Sequence, residues 1–295
     1  MAYTPLTQQG KNFIRKVCEG TGNSLLVGKS KYKINDTTSD NYNPDGVLPY
    51  CYPQPSPTKD WYSNAKFDNK PITSNQQLGE AIINWYDKYG KIYEMDANIL
   101  AAQAYAESAY IVWNYPLTST ASGISQFTSA TVFEMIISNK YNIEPKFTQE
   151  EINAITKNVT GNTSSKDTFS VGNMTGKKNR PIMHQNITDN PEIMIKAQFR
   201  YMKLISNRCN GMASSTLFGY SRGPFGHAFP SYTKSIASAT NSADYQIEGI
   251  GYVYKIFSLL GNNNYHPKGY FGYDQLKMHD TFDKYKAEID ESNLM

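Results

Sequence analysis

One segment constrains the fold of this chain more than any other. Ile99 to Ala106, with the sequence ILAAQAYA, is apolar on every face except at Gln103. A helix on a protein surface has one apolar stripe, whereas a helix that is apolar all round is buried. The segment therefore predicts a helix at the centre of a packed domain. Glu107 closes the run as its single carboxylate.

Two effects are expected to raise the pKa of the Glu107 carboxyl. Apolar surroundings disfavour the charged form, and the C-terminal end of a helix carries negative potential. A carboxyl group that stays protonated near neutral pH can act as a general acid, as in glycosidic bond cleavage. Most glutamates near helix ends are simply solvated, so the residues around Glu107 must decide between the two interpretations.

The residues after Glu107 form a specific pattern. Glu107-Ser108 is followed by a Tyr/Trp-rich loop, then by ASGISQF at 121–127 and by Thr131. This arrangement resembles the soluble lytic transglycosylase and goose-type lysozyme family of the lysozyme-like superfamily. The pattern of that family is a glutamate-serine pair, a loop, a glycine-hydrophobic-x-glutamine turn and a threonine. The resemblance covers roughly residues 76–235.

The resemblance implies a role for each matching residue. Glu107 is expected to be the catalytic acid, and Tyr220 is expected to orient its carboxyl. The last cleft motif of the family, tyrosine-asparagine-x-glycine, corresponds here to Tyr220-Ser221-Arg222-Gly223, so a serine replaces the asparagine. Contacts to the sugar are expected from Ser108, Ser122, Gly123, Gln126, Tyr220 and Ser221.

The implied activity is cleavage of the β-1,4 bond between N-acetylmuramic acid and N-acetylglucosamine in peptidoglycan. Most glycosidases use a second carboxylate, but residues 108–133 contain no Asp or Glu. The lytic members of the family use one glutamate first as acid and then as base, which favours a lytic transglycosylase with a 1,6-anhydromuramic product. A hydrolytic muramidase remains an alternative if Asp167 or Asp189 folds over the cleft. A non-catalytic structural or wall-binding phage tail protein is the other alternative.

The composition argues against several other classes of function. The formal charge of +3 comes from 29 basic and 26 acidic residues without long runs, so nucleic acid is not an expected partner. No stretch is long and apolar enough to predict a membrane span. The three cysteines and four histidines lack metal-ligand spacing, and neither a metal nor a cofactor is predicted.

The chain divides into three predicted parts of a mainly α protein. Residues 1–75 comprise a helix and an extended, proline-containing arm. The helix is expected to begin at a Thr4 cap, with Leu6, Phe13, Ile14 and Val17 on one face. Residues 76–260 form the lysozyme-like domain, with an insertion at about 142–189, and residues 261–295 form a helical tail.

Helical periodicity and capping residues place the elements of the domain. Leu78, Ile82, Trp85, Tyr86 and Tyr89 form the stripe of a helix that starts after Thr73 or Ser74 and is expected to end at Gly90. Asn190 is expected to cap a helix that carries Met194, Ala197, Tyr201, Leu204 and Ile205 on one face. The insertion is expected to be a substrate lid or an exposed loop, with a flexible middle at residues 161–179. The other predicted helices are Ser129 to Lys140, Gln149 to Lys157, Tyr245 to Leu260 and Tyr273 to Ile289.

The N-terminus lacks a basic start followed by an apolar core, so no signal peptide is predicted. Together with the arm and the tail, this points to a bacteriophage protein, either carried in the virion tail or made late as an endolysin. The arm or the C-terminal helix is a candidate for docking onto phage tail proteins. Packing of the arm on its own domain is the alternative.

Overall fold

The computed structural model describes residues 1–19, 64–112, 120–170, 174, 179–211, 213–222, 252–253, 255–257, 259–260 and 270–272. Helices make up 63% of these residues, which confirms a mainly α fold. The helices are α1 (Gln8–Cys18), α2 (Asn75–Tyr93), α3 (Ala97–Ser108), α4 (Ser129–Val132), α5 (Gln149–Thr156), α6 (Asn179–Asp189), α7 (Pro191–Arg208) and α8 (Ala213–Arg222). A π-helix (Phe133–Ile137) continues α4, a 3₁₀ helix covers Lys166–Phe169, and β1 (Lys66–Phe67) pairs antiparallel with β2 (Lys70–Pro71).

Helix α3 is the buried helix that the sequence predicts. Asp96 caps it by accepting hydrogen bonds from the backbone N–H groups of Asn98 and Ile99. Every residue of α3 is buried except Glu107. Helix α2 lies beside it and also packs against α1 and α7, which places α2 and α3 at the centre of the core.

Helix α2 begins where the sequence predicts and ends later. Ser74 caps it by accepting a hydrogen bond from the N–H of Gln77, and the five residues of its predicted stripe are all buried. The predicted end at Gly90 is wrong, because the helix continues to Tyr93 and Glu94 takes the left-handed cap conformation. A Cβ at Gly90 would lie 3.2 Å from the Cβ of Ala97, so the glycine permits close packing rather than a helix end.

Helix α1 is part of the core. Its cap is Thr7 and not Thr4, because the Thr7 hydroxyl accepts from the N–H of Gly10. Its predicted apolar face is buried against the domain, and Phe13 stacks on Tyr270 with ring centroids 4.6 Å apart. That face is therefore not available to a partner in this structure, and residues 20–63 of the arm lie outside the described residues.

The insertion contains more structure than the sequence predicts. Helix α5 confirms the short predicted helix, with a capping box between Thr148 and Glu151. The following segment was expected to be exposed, but Phe169 is fully buried and stacks on Phe133 at 5.3 Å. Helix α6 begins at Asn179, the last residue of the predicted flexible segment, and was not predicted.

The helix predicted from Ser129 to Lys140 is shorter, since its π-helical part ends at Ile137. Arg200 of α7 is fully buried beside this end. Its guanidinium donates to the carbonyl oxygens of Met135, Tyr141 (2.6 Å) and Ile143 (3.1 Å). One buried side chain therefore satisfies the backbone where the helix stops.

Helix α7 begins where the sequence predicts but is capped differently. Pro191 occupies its first turn, whereas the Asn190 side chain makes no capping bond and donates to the carbonyl of Asn186. The described residues of 252–260 are helical, as predicted, and the tail predicted after 272 lies outside the described residues. In the described ranges, no helix has the length and apolar character needed to cross a membrane.

Candidate functional site

Glu107 occupies the last turn of α3, just before Ala109 takes the left-handed conformation that ends the helix. Glu107 is partly exposed as a residue, while Ala106 and Ser108 on either side are buried. Its Oε1 accepts a hydrogen bond from the hydroxyl of Tyr252 at 2.5 Å. The Glu107 carboxyl thus lies at the edge of the hydrophobic core.

The surroundings of Glu107 raise its pKa from 4.5 to about 7. Desolvation by burial is the largest cause, as the apolar sequence of α3 predicts. The hydrogen bond from Tyr252 and the positive charge of Lys255 act in the opposite direction and limit the rise. Near neutral pH the protonated and ionised forms of the carboxyl are therefore both well populated.

The tyrosine that contacts the acid is Tyr252, whereas the sequence pointed to Tyr220. Tyr220 lies on α8, where its hydroxyl donates to the carbonyl of Ser125 at 2.5 Å. Its ring stacks on that of Tyr252, with centroids 6.3 Å apart and planes 6° from parallel. Tyr220 thus supports the residue that orients the acid. Tyr252 lies beyond the motif and was missed because nothing in its own helix sets it apart.

Ser108 connects the acid's helix to the following turn. Its side chain is fully buried, and its hydroxyl lies 2.8 Å from the carbonyl oxygen of Ile124 and 3.1 Å from that of Ala104. The sequence assigned Ser108 a contact to sugar. The structure instead places its hydroxyl in the core, where it fixes the turn against α3.

The predicted glycine turn is present at residues 122–127. The Ser122 N–H donates to the carbonyl of Phe127, and the Gln126 N–H donates to that of Gly123. Gly123 has φ +73°, a conformation that glycine adopts without strain. Gln126 also has positive φ, and its side-chain amide donates to the Gly123 carbonyl at 2.8 Å.

Helix α6 covers one side of this turn. The Ser122 hydroxyl lies 3.1 Å from Nδ1 of His184, and a Cβ at position 123 would lie 2.6 Å from Cγ2 of Ile187. Ser122 and Gly123 are therefore buried, whereas Gln126 and Ser221 remain partly exposed. Burial lowers the pKa of His184 to about 4, so its imidazole is neutral at pH 7.

Two aspartates were considered as second carboxylates. Asp167 is exposed and lies in the 3₁₀ helix. Asp189 ends α6 and accepts a hydrogen bond from the Gln185 side chain at 2.8 Å. Among the described residues, the charge that affects the pKa of Glu107 is that of Lys255. Among the residues whose positions are described, no group of His, Cys, Asp and Glu is placed to hold a metal ion.

Comparison with known protein families, with curated proteins and with solved structures found no match. The likeness to the lysozyme-like superfamily therefore rests on the motif residues in the sequence. What the structure adds is the environment of Glu107.

Proposed function

We propose that this protein cleaves peptidoglycan glycan strands at the β-1,4 bond between N-acetylmuramic acid and N-acetylglucosamine, with Glu107 as the general acid. The observation that carries the proposal is a carboxyl whose pKa is about 7 on a residue that is itself partly exposed. Burial keeps the proton on the carboxyl near neutral pH, and the partial exposure of Glu107 places the residue where a substrate can approach it. A general acid needs both properties.

The chemistry that we propose needs one carboxyl group. Protonated Glu107 gives its proton to the glycosidic oxygen while the bond from that oxygen to C1 of the muramic acid breaks. The resulting carboxylate takes the proton of the C6 hydroxyl while O6 bonds to C1, which forms the 1,6-anhydro product and restores the acid. Between the two transfers, the hydrogen bond from Tyr252 and the charge of Lys255 stabilise the carboxylate.

One observation favours a second candidate, a wall-binding or structural protein without turnover. Helix α6 covers Ser122 and Gly123, two residues that the resemblance assigns to sugar contacts. A protein that only binds glycan, or assembles with phage tail proteins, does not need an open cleft at this turn. Such a protein also does not need a proton donor at position 107. A requirement for the Glu107 carboxyl therefore distinguishes the enzyme from the binding or structural protein.

The test is Glu107→Gln, assayed for clearing of purified cell walls. The amide is nearly isosteric with the carboxyl but has no transferable proton, so we expect a loss of about 100-fold or more in rate. Glu150→Gln on the exposed face of α5 is a matched control that should clear walls like the wild type. Equal clearing by folded Glu107→Gln would exclude the proposed role.

The product separates the two forms of cleavage. Lytic transglycosylase chemistry leaves 1,6-anhydromuramic ends, which are lighter by one water than hydrolysis products and have no reducing end. Mass spectrometry of digested peptidoglycan measures this difference directly. Products with free reducing ends would make the protein a muramidase.

The pH dependence gives an independent test. Because Glu107 must be protonated to act as the acid, kcat/KM should fall as pH rises through about 7. Because kcat/KM reports the free enzyme, an alkaline limb at the ordinary pKa of a glutamate, near pH 4.5, would contradict the raised pKa assigned to Glu107.

A further inference from the structure

Gln103 is the polar residue that interrupts the apolar sequence of α3, and it is fully buried. It lies one helical turn before Glu107, so the two side chains point to the same side of the helix. Both reach the hydroxyl of Tyr252. The Gln103 Nε2 donates to that hydroxyl at 3.1 Å, and the hydroxyl donates to Oε1 of Glu107 at 2.5 Å.

Gln198, which contacts the side-chain oxygen of Gln103, determines the direction of these hydrogen bonds. The Gln198 Nε2 lies 3.0 Å from the backbone carbonyl of Leu100, which can only accept a hydrogen bond. The same Nε2 donates to Oε1 of Gln103 at 2.9 Å, and the Gln198 Oε1 accepts from Tyr86 at 2.7 Å. A reversed Gln198 amide would place its oxygen against the Leu100 carbonyl.

Gln103 is consequently held in one orientation. Its oxygen faces the amide of Gln198, so its Nε2 must face Tyr252, and the same Nε2 lies 3.7 Å from Sδ of Met202. The Tyr252 hydroxyl accepts from Gln103, and among the described residues Oε1 of Glu107 is the acceptor placed to take its single proton. In this arrangement Oε1 of Glu107 is an acceptor.

We propose that Gln103 is a positioning residue that acts through Tyr252 to keep Oε1 of Glu107 occupied as an acceptor, so that Glu107 carries its transferable proton on Oε2. In the part of the chain that the structure describes, the groups that face the carboxyl are Tyr252 and Lys255 from residues 252–260 and Tyr220 from α8. The transfer to a sugar rests on the proposed function, but the position of the proton does not.

Infrared difference spectra of wild type minus Glu107→Gln test this directly. The band of the protonated carboxyl, followed between about pH 4 and 9, reports the titration of Glu107. The C=O stretching frequency of the same band reports whether the carbonyl oxygen accepts a hydrogen bond. We expect the low frequency of a hydrogen-bonded carbonyl and a midpoint at about 7. If the wild-type band instead has the higher frequency of a carbonyl without a hydrogen bond, that result alone overturns the proposal.

Two substitutions test the path through Gln103. Tyr252→Phe removes the donor, and Gln103→Met removes the group that directs it while preserving size. Each should raise the C=O frequency and move the midpoint upward by about 1 pH unit, because the hydrogen bond favours the ionised form. The double variant should shift no further than Tyr252→Phe, since Gln103 acts through Tyr252. Shifts that add would mean that Gln103 acts independently, which contradicts the proposal.

Two further variants serve as second test and control. Gln198→Met removes the hydrogen bond that orients Gln103 and should move the band in the same direction. It therefore tests the role of Gln103 if the Gln103→Met protein does not fold. Tyr110→Phe removes a buried hydrogen bond to the carbonyl of Ala101 on α3, and should leave the band unchanged.

The spectra and the cleavage assay separate this proposal from the proposed function. If the spectra behave as expected but neither the wild type nor any variant cleaves peptidoglycan, the proposed function fails and the position of the proton stands. If Gln103→Met and Gln198→Met leave the band unmoved, the inference fails whatever the activity.

Discussion

The hydroxyl of Tyr252 lies 2.5 Å from Oε1 of Glu107, although 145 residues separate the two in the sequence. The acid's environment is thus made by two distant segments that act in opposite directions. Helix α3 buries the carboxyl and raises its pKa, while Tyr252 and Lys255 limit that rise. The value of about 7 is the balance between them.

Glu107→Gln should change stability only where the carboxyl ionises. The folded-state pKa of about 7 lies above the ordinary 4.5. The Glu107 carboxyl therefore makes its full contribution to the free energy of unfolding below pH 4.5, and this contribution is lost as pH rises through 7. The amide does not ionise, so the variant should be more stable than the wild type at pH 8 by about 1–3 kcal/mol. Urea unfolding at about pH 8 and pH 4 measures this. The same difference at both pH values would contradict the assigned pKa.

Gly123→Ala should destabilise the fold strongly. The new Cβ would meet Cγ2 of Ile187 at 2.6 Å, and the positive φ adds backbone strain. We expect a loss of about 2–4 kcal/mol in the free energy of unfolding, measured with urea. In an Ile187→Ala background the clash is absent, so the same substitution should cost only about 1 kcal/mol of strain. Equal costs in both backgrounds would show that α6 does not press on the turn.

His184 should make the protein sensitive to acid. Its folded-state pKa of about 4 lies below the ordinary 6.5, because burial disfavours the charged imidazolium. The neutral form contributes stability above pH 6.5, and this is lost as pH falls toward 4, by an amount on the order of 3 kcal/mol. The stability advantage of wild type over His184→Gln should therefore shrink across this window. Because other acid-sensitive groups are common to both proteins, a constant difference would exclude this cause.

Arg200→Lys should cost far more than the same change at Arg15. The buried guanidinium of Arg200 donates to three carbonyl oxygens, and a lysine cannot reproduce that planar arrangement. We expect a loss of about 2–4 kcal/mol in chemical denaturation. Arg15 pairs with Glu80 at a partly exposed site, where the substitution should cost less than about 1 kcal/mol. Similar costs at both positions would indicate that the carbonyls find other donors.

The sequence predicts best the elements whose local signal and tertiary role coincide. Helix α3 is apolar all round and buried, α2 carries a clear stripe, and α5 begins with a capping box. Gly90 shows the opposite case. A glycine is equally suitable for a helix end and for a close approach, and only the position of Ala97 decides between them.

Helix α6 was missed because its sequence, NRPIMHQNITD, is polar and has no clear stripe. Its place is fixed by tertiary hydrogen bonds, in which the Asn186 side chain donates to the carbonyl oxygens of Ile155 and Lys157. Tyr252 was missed for a related reason. Its role depends on which helix packs beside Glu107, and spacing along the chain carries no information about that.

The contact between the two ends of the described chain has a consequence for synthesis. Phe13 stacks on Tyr270, and the Thr7 hydroxyl donates to the carbonyl of Phe271. Helix α1 leaves the ribosome before every other helix named above, yet these partners emerge only after nearly all of those helices. Closing so long a loop costs little more entropy than closing a shorter one, so translation sets the delay. A nascent chain can therefore form the contact of Phe13 with Tyr105 early, but the face of the Phe13 ring that stacks on Tyr270 stays uncovered until residue 270 arrives.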